Sequence, residues 1–387
     1  MNRKTINSDV IAFQNRWSFR KFRSNVSKYF LKLQTDPKYY FQNQSYSLLK
    51  KNADLYSKLS SKPDIIIAHW ISNFVTIENL YQLSLCGSVP VVWYLMDMAP
   101  LTGGCHYAWD CNGYMNQCGN CPALHSNQPF DLSYKNLQKK RDLIQKMNLT
   151  VVSASSWLTR QAKKATVFNG KRIEQIMLGV DAEIFKPISR DVARKKLKLP
   201  PEPKIVFFGA QSKEERKGML YLIEALKSLK KHLGDETKGI LIITAGNISE
   251  IEPFLIKNFQ HRHLGFLAGD RMLATAYQAA DVFICPSIED SGPMMINESI
   301  MCGTPVVSFE MGVSLDLVQT GKTGYRAKLK NSEDLGKGII FVLGLNSNEA
   351  GNMFKQCQAI GAQFCNHQVQ AGAFKRLFES ILGDSVN

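Results

Sequence analysis

One stretch decides the fold class of this chain: Pro286-Ser287-Ile288-Glu289-Asp290-Ser291-Gly292-Pro293-Met294-Met295-Ile296-Asn297-Glu298. An apolar run, Val282–Cys285, predicts a strand before it, and apolar residues over Met294–Cys302 predict a helix at its end. Gly292 and Pro293 make a tight turn into that helix, and proline suits a first helical turn. The N-terminus of a helix offers unpaired N–H groups and a partial positive charge, so the stretch predicts a phosphate-binding site.

Two carboxylates, Asp290 and Glu298, flank this site with seven residues between them. Carboxylate oxygens accept hydrogen bonds from hydroxyl groups such as those of a sugar. Phosphate and polyol recognised side by side are what an enzyme acting on a nucleotide sugar requires. The alternative is an ordinary strand, loop and helix of an α/β domain whose acids face solvent.

The stretch resembles the retaining glycosyltransferases of family 4, whose signature is two acids with seven residues between them, an apolar helix and a Gly-Thr-Pro-Val-Val turn. That turn is Gly303-Thr304-Pro305-Val306-Val307 here, and the match extends through Gly312 to Thr323-Gly324-Tyr325. Asp290 replaces the Glu of most relatives. The resemblance implies an α/β fold with two Rossmann-like parallel-sheet lobes facing a cleft, the GT-B architecture.

The overall composition excludes two classes of protein. A hydrophobic content of 44% with 21% charged residues is typical of a globular chain and not of a disordered one. The longest apolar runs are strand-length and too short to span a membrane. The chain opens without a signal peptide and holds nine cysteines, which favours a reducing, cytoplasmic location. At 387 residues, two domains are expected.

The net charge of +15 favours an anionic partner, and the excess is concentrated near the start. Residues 1–35 hold eight Lys or Arg side chains against one acid, with aromatic residues between them. Such a segment is typical of a helix that docks on anionic lipid, so we expect a peripheral position on the inner face of a membrane. An ordinary helix packed on the core is the alternative. No nucleic-acid motif accompanies the charge, so nucleic acid is not an expected partner.

Strand-like runs alternate with helical patterns, which predicts parallel α/β sheets. We predict an acceptor-side lobe over residues 1–190, a nucleotide-sugar-binding lobe over 203–365 and a tail helix over 366–387. The linker is expected between Pro187 and Pro203. The predicted strands are Ile65–Ala68, Val89–Tyr94, Val151–Ser153, Lys204–Gly209, Ile240–Ala245, Val282–Cys285 and Val306–Phe309. The predicted helices are Lys217–Leu233, Asp270–Ala279, Met294–Cys302 and a terminal helix over Asp334–Leu343.

Relatives open with a strand and a Gly-rich loop. The start of this sequence instead resembles the region that follows that loop in the relatives. Two explanations stay open: the start of the first lobe is missing from this sequence, or the first lobe is abbreviated.

The loop after the first strand of the second lobe reads Gly209-Ala210-Gln211-Ser212-Lys213-Glu214-Glu215-Arg216-Lys217-Gly218. By resemblance, Lys217 clamps the diphosphate of the donor, and Arg216 is a candidate for a second charge. Fixed cations stabilise a diphosphate leaving group, so no catalytic metal is expected. Glu298 is the candidate for the ribose contact and Asp290 for the donor hexose. The remaining donor-binding candidates are Gly209, Gly292, Pro293, Met294, Met295 and Ile296.

In the first lobe, polysaccharide-synthesis relatives carry a His-Asp pair before a Thr-Gly-Gly-Cys-His segment. Here the pair is Met96-Asp97, and the segment ends in Cys105-His106. The resemblance implies a catalytic role for Asp97. His69 and His106 are candidates to replace the missing histidine, and each is equally compatible with a structural role; we take His106 as the catalytic candidate.

Four cysteines lie within seventeen residues, at Cys105, Cys111, Cys118 and Cys121, the last two as C-x2-C. They have the ligand count of a tetrahedral, closed Zn²⁺ site, so a structural zinc is one hypothesis. Free or partly disulfide-linked thiols are the second, and an iron–sulfur cluster is the third.

Together these features predict a retaining glycosyltransferase that moves a hexose from a nucleotide-diphosphate sugar to a polysaccharide or lipid-linked glycan acceptor. The alternatives are a nucleotide-sugar-binding protein without catalysis and a basic, zinc-stabilised nucleic-acid binder. A nicotinamide-dependent dehydrogenase is disfavoured, because no G-x-G-x-x-G follows a strand.

Overall fold

The computed structural model describes residues 35–43, 61–72, 74–85, 88–210 and 214–384. The basic segment predicted to dock on lipid lies outside these residues. The strands are β1 (Ile66–Ala68), β2 (Val91–Leu95), β3 (Leu149–Ser153), β4 (Arg172–Gln175), β5 (Lys204–Ala210), β6 (Ile240–Gly246), β7 (Gln260–His263), β8 (Val282–Cys285), β9 (Val306–Phe309) and β10 (Gly324–Ala327). The helices are α1 (Ile77–Leu85), α2 (Leu132–Gln145), α3 (Ser156–Lys164), α4 (Arg190–Lys196), α5 (Met219–Leu233), α6 (Glu252–Asn258), α7 (Asp270–Ala279), α8 (Met294–Met301), α9 (Ser314–Leu317), α10 (Ser332–Leu343), α11 (Ser347–Phe364) and α12 (His367–Asp384). No helix in the described ranges combines the length and apolarity needed to cross a membrane.

The chain divides into two compact units, each built on a parallel sheet. Unit 1 contains Leu158–Ile176, the described residues up to Ala154 and those from Ala373 onward. Unit 2 contains Ser155–Trp157 and Met177–Gly372. The prediction of two α/β lobes with parallel sheets is confirmed. That the lobes face a cleft stays a prediction.

Within the described residues, the sheet of unit 1 has four parallel strands in the order β1-β2-β3-β4. Every residue of β2 and β3 is buried. Their sequences are rich in valine because a parallel sheet is covered on both faces, which leaves no polar side for a strand. β4 lies at the edge of the sheet and reads Arg-Ile-Glu-Gln, with none of its residues fully buried. Its polar sequence explains why apolar patterning did not predict it.

Unit 2 contains a sheet of six parallel strands among its described residues, in the order β10-β9-β8-β5-β6-β7. Strand order reverses between β5 and β8, which are neighbours in the sheet. Chain connections leave these two strands toward opposite sides, so a crevice opens at their carboxyl ends. In open α/β sheets this switch point is where ligands bind. The sheet therefore places the loops after β5 and β8 at one site.

The chain crosses from unit 1 to unit 2 between residues 176 and 177. The linker was expected later in the sequence, in the segment Pro187–Pro203. Pro200–Pro203 instead forms a turn inside unit 2, between α4 and β5. Arg194 of α4 explains why this helix belongs to unit 2. It is buried, and its guanidinium group lies 2.8 Å from the carboxylate of Asp281, just before β8.

The helix α5 shows how local sequence sets an element's bounds. Its buried residues, Leu222, Ala225, Leu226 and Leu229, repeat at helical spacing. It begins at Met219 and not at Lys217, because Arg216 and Lys217 belong to a short 3₁₀ turn. At the other end of unit 2 the helix over 332–343 is not terminal, since α11 and α12 follow it.

Gly324 tests how tightly β10 packs on β9. Its φ is +143°, and an added Cβ would lie 1.8 Å from the carbonyl oxygen of Val306. We expect Gly324→Ala to lower the free energy of unfolding by about 3 kcal/mol or more, since backbone must move to relieve the clash. Gly321→Ala is the matched control: φ is +82° there, but the added Cβ meets open space. Backbone strain alone predicts a loss of about 1–2 kcal/mol at Gly321. Urea unfolding measures both, and equal losses would contradict this account of the packing.

Candidate functional site

A cavity of about 670 Å³ opens at the switch point of the sheet in unit 2. Its volume falls within the range of about 300–1,000 Å³ that is usual for small-molecule sites. The end of β5 contributes Phe208 and Gly209, and the end of β8 contributes Cys285, Pro286 and Ser287. Six further sequence-predicted residues also line it: Arg216, Lys217, Pro293, Met294, Met295 and Glu298. The structure thus brings together residues that are 89 positions apart in sequence, from Gly209 to Glu298.

One wall of the cavity carries two cations that share a single carboxylate. Nζ of Lys217 and Nη1 of Arg216 each lie 3.0 Å from Oδ2 of Asp290. Arg216 also pairs with Glu214 through its Nε. Asp290 was predicted to face a donor hexose, and here it forms ion pairs with both cations. All three side chains are partly or largely buried, which strengthens their attraction relative to a surface ion pair.

The backbone at Gly218 fixes the position of this cationic wall. Gly218 has a left-handed conformation with φ of +69°, and an added Cβ would lie 1.8 Å from the carbonyl oxygen of Pro286. The N–H of Ile288 donates a hydrogen bond to the carbonyl of Arg216. The turn that carries the cations therefore lies directly against the loop after β8, and only glycine fits between them.

The start of α8 forms the floor of the same cavity. Pro293 is the N-cap residue, and Met294 and Met295 follow it along the wall. The N–H of Ile296 donates to the carbonyl of Pro293, so this amide is already paired. Of the predicted donor-binding residues, Gly292 and Ile296 do not line the cavity. The amides left for a ligand at this helix start are those of Met294 and Met295.

The cavity is also lined by a buried acid. Glu298 is 9% exposed, and its Oε2 accepts a hydrogen bond of 2.9 Å from the hydroxyl of Tyr277. Burial raises the pKa of Glu298 to about 7, although the bond from Tyr277 opposes this rise. The carboxyl group therefore exchanges its proton near neutral pH, and a ligand hydroxyl that approached it would favour the ionised form.

Three residues of this site were not identified from sequence. Tyr277 is fully buried, and a buried phenol needs a hydrogen-bond partner, which is the one signal that could have linked it to Glu298. Phe266 and Leu267 line the far end of the cavity in the loop after β7, and Phe266 is 74% exposed. No local pattern distinguishes these two residues, because their role depends on the fold.

In unit 1 the structure brings Asp97 and His106 together after β2. Nδ1 of His106 lies 2.6 Å from Oδ2 of Asp97, and since a carboxylate only accepts, the histidine donates. Ser72 Oγ lies 3.4 Å from Nε2 on the other side of the ring. His106 is only 2% exposed, so in this conformation it positions Asp97 and is closed to a substrate. Met96, where relatives have histidine, is 39% exposed.

The four cysteines of the loop 105–121 lie together in unit 1 and line one small cavity. The thiol of Cys105 hydrogen-bonds to Cys121, which lowers the pKa of Cys121 to about 6. Burial raises the pKa of Cys118 to about 12. As the side chains stand, no group of three or more His, Cys, Asp or Glu residues in the described part of the chain is arranged to hold a metal ion.

Comparison with known proteins identifies the domain in unit 2. Residues 189–358 match the family model described as "Glycosyl transferases group 1". The chain is 26% identical over 249 residues to the putative colanic acid biosynthesis glycosyl transferase WcaC of Escherichia coli, covering 61% of this chain and 56% of that protein. It is 29% identical over 168 residues to a D-inositol 3-phosphate glycosyltransferase of Acidothermus cellulolyticus, covering 40% of this chain and 36% of that protein. Residues 189–358 are therefore similar to the group 1 glycosyltransferase domain. It spans about half or less of the length of these relatives.

Solved structures agree with the fold of both units. Sucrose-phosphate synthase from Thermosynechococcus elongatus superposes with a TM-score of 0.64 at 16% identity, over 86% of this chain and 76% of that one. Anabaena HepE, solved in complex with UDP and glucose, gives a TM-score of 0.58 at 19% identity, over 84% of this chain and 80% of that one. At this identity the likeness establishes the fold.

The burial of Glu298 predicts how stability depends on pH. Its pKa is raised to about 7 in the folded protein, above an unfolded value near 4.5. Between these values the folded state binds more protons than the unfolded state, so its stability falls as pH rises from about 5 to about 8. The loss attributable to this one group is up to about 3 kcal/mol.

We expect Glu298→Gln to remove this part of the pH dependence, because an amide does not titrate. Urea unfolding of wild type and variant at pH 5, 6, 7 and 8 measures the difference. Glu224→Gln on the exposed face of α5 is the control, and it should keep the wild-type slope. A difference between wild type and Glu298→Gln that is the same at every pH would show that Glu298 does not titrate in this window.

Proposed function

We propose that this protein is a retaining glycosyltransferase of family 4 that moves a hexose from a nucleotide-diphosphate sugar to a glycan acceptor. The observation that carries the proposal is the chemistry of one cavity. Two cations, a helix start and a buried carboxylate line it together, at the switch point of a parallel sheet. The cations and the helix start suit a diphosphate, and the carboxylate suits the hydroxyls of a ribose.

Lys217 and Arg216 would bind the diphosphate in place of Asp290. As the bond between sugar and phosphate breaks, negative charge gathers on the departing diphosphate, and fixed cations stabilise that charge. The amides of Met294 and Met295 would donate to phosphate oxygens from the start of α8. These groups supply the positive charge that other nucleotide enzymes obtain from a divalent metal, so we propose no catalytic metal.

The remaining walls would hold the other parts of the donor. Glu298 in its ionised form can accept hydrogen bonds from both ribose hydroxyls. Phe266 offers an exposed aromatic surface at the end of the cavity, next to Leu267, on which a nucleobase can stack. Asp290, released from the cations, would face the hexose. This order of contacts runs along the cavity from base to sugar.

The mechanism would be the same-face substitution that the family resemblance implies, in which the acceptor hydroxyl attacks on the side that the diphosphate leaves. It needs no nucleophile from the protein. We propose that Asp97 acts at the reacting sugar and that His106 positions it through the bond to Nδ1. Met96, in place of the relatives' histidine, favours a second candidate function, in which the protein binds the donor without transferring its sugar.

For the acceptor we propose a growing polysaccharide or its lipid-linked precursor. The relative from Escherichia coli is named for colanic acid biosynthesis, and a match of 26% identity supports this class without fixing the sugar. The net charge of +15 is compatible with work at an anionic, cytoplasmic membrane face.

Lys217→Ala tests the diphosphate site. Removing one preorganised cation should lower turnover by about 10²-fold. It should also weaken UDP binding about tenfold or more, on the scale of one hydrogen bond to a charged group. Lys227→Ala is the matched control, since Lys227 lies exposed on α5, the helix that follows the turn of Lys217, and pairs with Glu224. Calorimetry with UDP and an assay of UDP release from UDP-sugars measure the two effects.

The same pair of measurements separates the proposed function from the second candidate. UDP binding that depends on Lys217, together with UDP release on adding an acceptor extract, supports a transferase. Binding without release supports a donor-binding protein. Equal binding by wild type, Lys217→Ala and Lys227→Ala would refute the assignment of this cavity to the diphosphate.

A further inference from the structure

We propose that Cys105, Cys111, Cys118 and Cys121 bind one structural zinc ion in unit 1. Zinc is the metal that four cysteine ligands in a closed tetrahedral site select most often. The proposal is independent of the function proposed for unit 2, since it concerns a loop of unit 1.

The space between the four cysteines has the size of one atom. Their side chains line a cavity of about 20 Å³, which is just enough for a single water-sized particle. A water molecule would find few partners there. The hydroxyl of Thr102 already donates to the carbonyl of Cys105, and that of Ser133 donates to Asp131. Buried water needs two to four polar partners, whereas a zinc ion would find four sulfurs.

Backbone N–H groups already point at the sulfur atoms. The amide of Gly113 hydrogen-bonds to the sulfur of Cys111, and that of Gly103 to the sulfur of Cys118. The amides of Ala123 and Leu124 hydrogen-bond to the sulfur of Cys121. A thiol is a weak acceptor, and a thiolate is a strong one. Such donors around metal-bound thiolates are the outer contacts that orient ligands in metal sites, so these amides are placed to support thiolates once a metal binds.

A buried amine lies beside the cluster. Lys140 of α2 is fully buried, and its Nζ donates to the carbonyls of Ala99 and Thr102 at 2.6 and 2.7 Å. A zinc ion with four thiolates carries a net charge of −2, and this charge would stabilise the ammonium form of Lys140.

The thiols must turn inward to reach one ion, since they are not yet arranged as a ligand set. This movement needs rotations about side-chain bonds, which are inexpensive for cysteine. The metal would then fix Cys105, the residue before His106, and through it the hydrogen bond to Asp97. The zinc site would therefore hold the loop that carries the polar pair of unit 1.

Elemental analysis of the full chain, purified without oxygen or chelators, tests the proposal. We expect about one zinc per chain, because structural zinc is tightly held. Cys118→Ala and Cys121→Ala should reduce the content below about 0.2 equivalents. Cys365→Ala is the control, since this thiol is buried in the core of unit 2, and it should retain the metal. Less than about 0.2 equivalents of zinc in wild type would overturn the proposal.

Cobalt substitution keeps the proposal testable if the variants fail to fold. Wild type refolded with Co²⁺ should show the visible absorption of a tetrahedral tetrathiolate site. A spectrum without sulfur-to-cobalt bands overturns the proposal. So does mass spectrometry showing disulfides among the four cysteines, or elemental analysis showing iron with sulfide in place of zinc.

Discussion

The candidate site depends on the ion triad of Asp290 with Lys217 and Arg216. Two cations held 3.0 Å from the same carboxylate oxygen would repel each other without it. The triad therefore holds two cations side by side in a partly buried place. A ligand that brings at least as much negative charge could take the place of the carboxylate. Such an exchange would make the wall selective for an anion and would free Asp290 to act elsewhere.

The second constraint is that one short stretch carries both acids. Asp290 lies in the loop after β8, and Glu298 lies one turn into α8. The cationic turn at Arg216 is attached to this loop through the backbone bond to Ile288. With a diphosphate on the cations and hydroxyls on Glu298, as proposed, an elongated ligand would be held in one direction. The fold would then set direction as well as affinity.

The sequence predicted the central strands within one or two residues, because their apolar runs are dictated by burial on both faces. It did not predict the edge strands β4 and β7, whose sequences are mostly polar. The prolines between 200 and 203 resemble a linker by composition, yet they form a turn within unit 2. Motif resemblance singled out Lys217 and Glu298, and both line the cavity. The bond from Tyr277 and the pairing of Asp290 could not be predicted, since they join residues from different elements.

A crystal structure of the protein soaked with UDP tests the central claim most directly. The account predicts phosphate oxygens within about 2.7–3.2 Å of Nζ of Lys217 and of the guanidinium of Arg216. It predicts the ribose hydroxyls on the carboxylate of Glu298, and Asp290 turned away from the cations. UDP bound outside this cavity, or an occupied cavity in which Asp290 still holds both cations, would contradict the account.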